Sequence, residues 1–169
     1  MNLVALDVET GGLNYKGNPL LSVAAIPLDR TEPFVLRIRN TDKIITAKAL
    51  EINGLDPTDG TTIDQAKYLY NLWLNQQKEP VTFLYWSKQI PGFDVNFIRE
   101  NLGEGNLASH HIDMYDWACL YFGEPVSFQQ ACEYFDITIQ GRHTAWGDAL
   151  ALTDLWTAIR GESKIQRGL

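Results

Sequence analysis

Residues 3–12, LVALDVETGG, constrain this chain more than any other stretch. The apolar, β-rich opening reads as a strand built for the middle of a sheet. Asp7 and Glu9 lie two apart, and residues two apart on a strand share a face. Val8 between them then points to the opposite, apolar layer. Two carboxylates side by side at the end of a hydrophobic strand are costly without a charge partner. The plainer alternative is a strand that stops here, with both acids solvated before the Gly11-Gly12 turn. This segment alone leaves the two readings evenly matched.

The rest of the chain says what surrounds that strand. PLLSVAAIPL and PFVLRIRN are two more strand candidates, separated by turn-forming Pro27, Asp29 and Pro33. TTIDQAKYLYNLWLNQQ puts Ile63, Ala66, Leu69, Tyr70, Trp73 and Leu74 on one helical face. VTFLYW reads as a buried strand and FDVNFIREN as a short helix. HHIDMYDWACLYF gives a brief strand running into a helix, and SFQQACEYFDI another helix. AWGDALALTDLWTAI forms the last helix, with Gly161 as its expected stop. Three strands followed by alternating helix and strand predict an α/β fold whose mixed sheet is flanked by helices. The early strands, joined by tight turns, pair antiparallel, and the later ones enter in parallel through helical crossovers. No linker divides the chain, so residues 1–162 read as a single domain and 163–169 as a frayed polar tail.

Composition matters here mainly for what it excludes. The 45% hydrophobic content is that of a globular chain, and no apolar run reaches membrane-spanning length. Cys119 and Cys132 match no metal-ligand spacing and read as free thiols in a reducing compartment, so the expected location is cytoplasmic. A net charge of −7 argues against an electrostatic grip on long nucleic acid. It leaves room for short or single-stranded substrates, which need few phosphate contacts, and for help from a protein partner.

Two later segments carry further candidates. Asp94 in GFDVNFI has the ordinary reading of a helix cap, with Phe97 one turn on, either in the core or near a ligand. In RHTAWGDALAL, His143 and Asp148 are five apart at the start of the last helix. Asp148 shares a face with Leu152 and Leu155, at the edge of the buried stripe. An acid so placed caps, pairs or binds metal, and His143 just ahead of it is suited to accept a proton. Four carboxylates gathered at one point need neutralising, and oxygen-only ligation suits Mg²⁺ or Mn²⁺.

None of these residues is decisive alone, but their order is. D-x-E-T, then F-D, then H-x4-D resemble the DEDDh (DnaQ-like) 3′–5′ exonucleases of the RNase H-like superfamily, and the resemblance runs from Asp7 to about Leu155. ALEINGLDP, IDMYDWA and FQQACEYFDI resemble further segments of that family. Its other subgroup places tyrosine one position after the histidine, where this chain has Thr144. The resemblance implies an RNase H-like fold with Asp7, Glu9, Asp94 and Asp148 holding two Mg²⁺ or Mn²⁺ ions and His143 as general base. It implies that Thr10, Gly11, Leu13, Asn53 and Phe97 meet the substrate, Leu13 as a wedge against the terminal base. The implied substrate is a single-stranded 3′ end or a frayed one, DNA ahead of RNA. The alternatives are an exoribonuclease on short RNA, or a largely non-catalytic subunit of a polymerase or other processing complex. Two departures bear on substrate choice rather than metal chemistry. SKQIPGFD lacks the family's frequent His-Asn pair, and Asn53 stands where histidine is common. Of the residues available to compensate, Trp86 reads as core, and Lys88 and Arg142 as solvated.

Overall fold

The structure is a computed structural model and describes residues 2–77, 80–88, 90–103 and 108–166. Its strands are β1 (Asn2–Thr10), β2 (Leu20–Pro27), β3 (Phe34–Arg39), β4 (Thr61–Thr62), β5 (Val81–Tyr85) and β6 (Ala108–Asp113). Its helices are α1 (Ala47–Asn53), α2 (Ile63–Gln76), α3 (Phe93–Leu102), α4 (Met114–Phe122), α5 (Phe128–Tyr134) and α6 (Ala145–Gln166). The six strands form one sheet in the order β4-β3-β2-β1-β5-β6. β1, β2 and β3 pair antiparallel, while β5 runs parallel to β1 and β6 parallel to β5. This is the expected mixed sheet, and β1 lies where its two halves meet.

Alternation along β1 sorts its side chains between two cores. Val4, Leu6 and Val8 pack with Tyr70 and Trp73 of α2 and Phe97 and Ile98 of α3. Leu3 and Ala5 face the other way, against Met114 and Ala118 of α4 and Leu152, Leu155 and Trp156 of α6. Asp7 and Glu9, being odd-numbered, continue the face that α6 covers. Small residues let that helix come close: Ala145 and Ala149 pack on Ala24 and Ile26 of β2.

Four local readings change. A seven-residue helix, α1, forms in a stretch to which the sequence assigned no element, bounded by the Thr46 side chain at its start and by Gly54 at φ 61° after its end. Neither of those end signals needs a buried face, and α1 has no buried residue. Leu69 is turned about 100° from Tyr70 and is 38% exposed, outside the buried stripe of Ala66, Tyr70, Trp73 and Leu74. β4, two residues before α2, was not foreseen. α6 runs through Gly161 to Gln166. A helical glycine costs only about 1 kcal/mol, and the buried Trp156 and Ile159 hold the helix up to that point. Residues 167–169 of the expected tail lie outside the described residues. Among the described residues, no helix is long and apolar enough to cross a membrane.

Candidate active site

The sheet opens at the end of β1. Pairing with β5 runs only from Asn2↔Val81 to Ala5↔Leu84, so farther on the β1 backbone has no strand neighbour on that side. The Val8 N–H donates instead to Asp94 Oδ1, at 3.2 Å. Asp94 therefore does not cap its helix: Gly92 is the N-cap of α3, and Asp94 sits in the first turn, only 4% exposed. Its carboxylate replaces a missing strand.

On the other face, Asp7 and Glu9 of β1 meet Asp148 of the first turn of α6. One oxygen from each of the three lies within 4.8 Å of the others. Asp148 Oδ2 accepts from the His143 backbone N–H at 3.1 Å, while Oδ1 is buried and has no hydrogen-bond partner among the described residues. His143 itself is exposed and has φ 61°, so a tight turn, rather than an imidazole contact, is what joins it to Asp148.

The electrostatics follow from crowding. Burial, then the charges of Asp94, Glu9 and Asp148, raise Asp7 well above the ordinary carboxylate range. Burial and the neighbouring Asp148 raise Glu9 to about 8, against a lowering hydrogen bond from Asn53. Burial raises Asp94 to about 7, opposed by hydrogen bonds from its own backbone N–H and that of Val8. Asp148 is raised too, by burial, with Arg142 pulling the other way. A group of acids that resists ionising on its own, with an unsatisfied buried oxygen among them, suits a hard divalent cation. The donor set fits Mg²⁺ or Mn²⁺.

A cleft of about 620 Å³ opens beside Glu9, lined among others by Thr10, Gly12, Leu13, Ile52, Asn53 and Phe93. Leu13 projects at its lip, 68% exposed. Asn53 Nδ2 donates to the Thr10 carbonyl at 3.1 Å and its side chain bonds Glu9, tying α1 to the end of β1. Phe97, by contrast, is fully buried in the core between α3 and the sheet. Its neighbour Phe93, 4.9 Å away between ring centroids, is the aromatic that reaches the cleft. Gly11 is not among the residues lining the cleft, where Gly12 stands. Both backbone groups of Gly11 are engaged, with Pro19 and Thr46, and a Cβ there would meet Pro19 Cδ at 2.5 Å. Trp86 packs against Tyr115 and Phe128, as expected of a core residue. Lys88 is exposed, as expected. Arg142 is not simply solvated, since its Nε lies 3.8 Å from Asp148 Oδ1. Phe93, Gly12 and Ile52 were not singled out from the sequence as neighbours of the site, and Arg142 was named only as a residue available to compensate. For Phe93 the signal was present in its place directly before Asp94.

Such a centre, acids brought together at the end of β1 beside an open cleft, is a candidate divalent-cation site on an α/β scaffold. The sequence matches the RNase T exonuclease family over residues 4–156, and the chain belongs to that family. DEDDh members use two divalent metal ions, and Asp7, Glu9 and Asp148 are able to hold metal. No curated protein matches the sequence. Among solved structures, E. coli exonuclease I in complex with a dA16 oligonucleotide is similar, with a TM-score of 0.78 at 16% identity, over 95% of this chain and 41% of that one. Exonuclease I of Methylocaldum szegediense is similar at a TM-score of 0.76 and 16% identity, over 95% of this chain and 40% of that one. These likenesses establish the exonuclease RNase H-like fold. The chain spans about two fifths of the length of those proteins.

Proposed function

We propose that this chain is a metal-dependent 3′–5′ exonuclease that releases nucleoside monophosphates from single-stranded DNA or frayed 3′ ends, with residues 1–162 acting as one domain. The convergence of Asp7, Glu9 and Asp148 within 4.8 Å beside the cleft carries this reading. The solved exonuclease I structures with single-stranded oligonucleotides support the choice of substrate.

Asp7, Glu9, Asp94 and Asp148 are the residues that would hold metal. Divalent metal in that position supplies Lewis-acid activation of water and neutralises charge at the leaving oxygen. The exposed His143 imidazole, on the turn entering α6, takes the proton from the attacking water, a role typically worth about 10²–10⁴-fold. Attack at phosphorus breaks the bond to the 3′ oxygen of the preceding nucleotide and frees a 5′-monophosphate. Leu13, Ile52 and Phe93 offer apolar surface to the terminal base, and Gly12 lets the backbone come close to the sugar. Asn53, bonded to both Glu9 and the Thr10 carbonyl, holds the cleft wall against the first two acids.

Asp7→Asn keeps the shape and removes one charge. Nucleotide release from a 5′-labelled single strand in Mg²⁺ should be abolished while the circular dichroism spectrum stays unchanged. Activity equal to that of the parent would sink the assignment. Matched DNA, RNA and duplex substrates in the same assay decide the sugar and strand preference.

A further inference from the structure

Arg142 occupies a place that the proposed chemistry does not use. It lies between Gly141 at φ 68° and His143 at φ 61°, in a turn fastened to α6 by the Thr144 N–H to Gly141 carbonyl bond (3.0 Å) and the Asp148 N–H to Thr144 carbonyl bond (3.0 Å). The backbone is therefore held and only the side chain is free to travel. Its Nε stands 3.8 Å from Asp148 Oδ1, within ion-pair reach but too far for a hydrogen bond. Its Nη1 donates to Gln129 Oε1 of α5 at 3.5 Å. The side chain is 37% exposed against 12% for Asp148, so the guanidinium has a way out toward water and α5 while the acid does not.

We propose that Arg142 is a tethered counter-cation of the acidic cluster, competing with divalent metal at Asp148 and so setting the metal concentration the enzyme needs. This rests on the metal-dependent reading above. Arg142 sets a positive charge beside the crowded acids, at the Asp148 Oδ1 edge of the cluster that Asp148 forms with Asp7 and Glu9. Its hold on Asp148 is by charge alone, which leaves the Oδ1 lone pairs open. A carboxylate already bonded to a guanidinium in bidentate fashion would resist a metal, whereas one neutralised from 3.8 Å yields to it. Two cations close to one carboxylate repel, so metal entry drives the arginine back along its Gln129 contact. Arg142 thus keeps the site tolerable when empty and weakens metal binding to the same extent.

The test is calorimetric titration of Mn²⁺ into the parent chain, Arg142→Gln, Arg142→Ala and Arg142→Lys at low salt. Removing one partly exposed charge should tighten Mn²⁺ binding about fivefold in both neutral variants, with the lysine variant near the parent. The difference should shrink at high ionic strength, where partly exposed charges are screened. Melting of the metal-free neutral variants should come earlier than that of the parent. Unchanged or weaker Mn²⁺ binding in both neutral variants overturns the proposal, because an arginine that merely positions Asp148 would give weaker binding. Failure of the parent itself to bind Mn²⁺ would remove the metal reading and this inference together. Binding by the parent with no gain in the variants removes only this one.

Discussion

Replacing Asp94 by asparagine should make the metal-free protein more stable, by a margin that opens above about pH 4 and is full above about pH 7. The carboxyl is 4% exposed, and burial lifts it from 3.8 to about 7. The folded-state value lies above the unfolded one, so the fold keeps a proton that the unfolded chain has released. Stability therefore falls as pH rises from about 4, and the loss is complete above about pH 7. With each pH unit of displacement worth about 1.4 kcal/mol, the ionised acid costs the fold about 4 kcal/mol. An asparagine side chain at this position retains an Oδ1 to accept from the Val8 N–H, a bond of 3.2 Å in the parent, and carries no charge. It also relieves Asp7 and Glu9, both of which Asp94 pushes upward. For a domain of this size each kcal/mol moves the midpoint by about 2–4 °C, so the variant should melt about 8–16 °C higher at pH 8. Near pH 4 the two proteins should melt together. Differential scanning calorimetry in a chelating buffer measures both points. An equal gain at the two pH values, or none at pH 8, would refute the claim that ionising a buried acid is what costs stability. The stabilised variant should also be a poor nuclease.

Stabilisation by Mn²⁺ should itself depend on pH, because ligation needs ionised carboxylates and burial and Asp148 raise Glu9 to about 8. The Mn²⁺-induced rise in melting temperature is expected to be small at pH 5.5 and to grow toward pH 8.5; a shift equal at both would contradict it. Gly147→Ala would drive a Cβ into the Gln140 carbonyl. The expected loss is about 1–3 kcal/mol in urea unfolding, together with weaker Mn²⁺ binding, since Asp148 is the next residue.

Most of the architecture could be read from periodicity, because β1, β2 and β5 are apolar runs bounded by turn residues and α6 carries a buried stripe. Asp7 and Glu9 were legible for the same reason: a period of two fixes which side chains share a face. Asp94 was legible only by its place in the ordered set. That its carboxylate fills a gap in the sheet depends on where β5 leaves β1, which no local pattern encodes. Phe93 and Phe97 sit four apart, on neighbouring parts of one helix face, and only the packing of α3 decides which is core and which meets the cleft. Arg142 was read as solvated, the ordinary place of a long charged side chain. The two left-handed residues beside it turn it back toward Asp148, a tertiary outcome.

The packing of α6 across β1 has a consequence for synthesis. Asp7 and Glu9 leave the ribosome about 140 residues before Asp148, so the cluster is among the highest contact-order features of the fold. A nascent chain that has made the first acids but not the last helix lacks one wall of the site. Under the exonuclease reading proposed above, cleavage competence is withheld until α6 has been translated, because without Asp148 the three-acid cluster is incomplete.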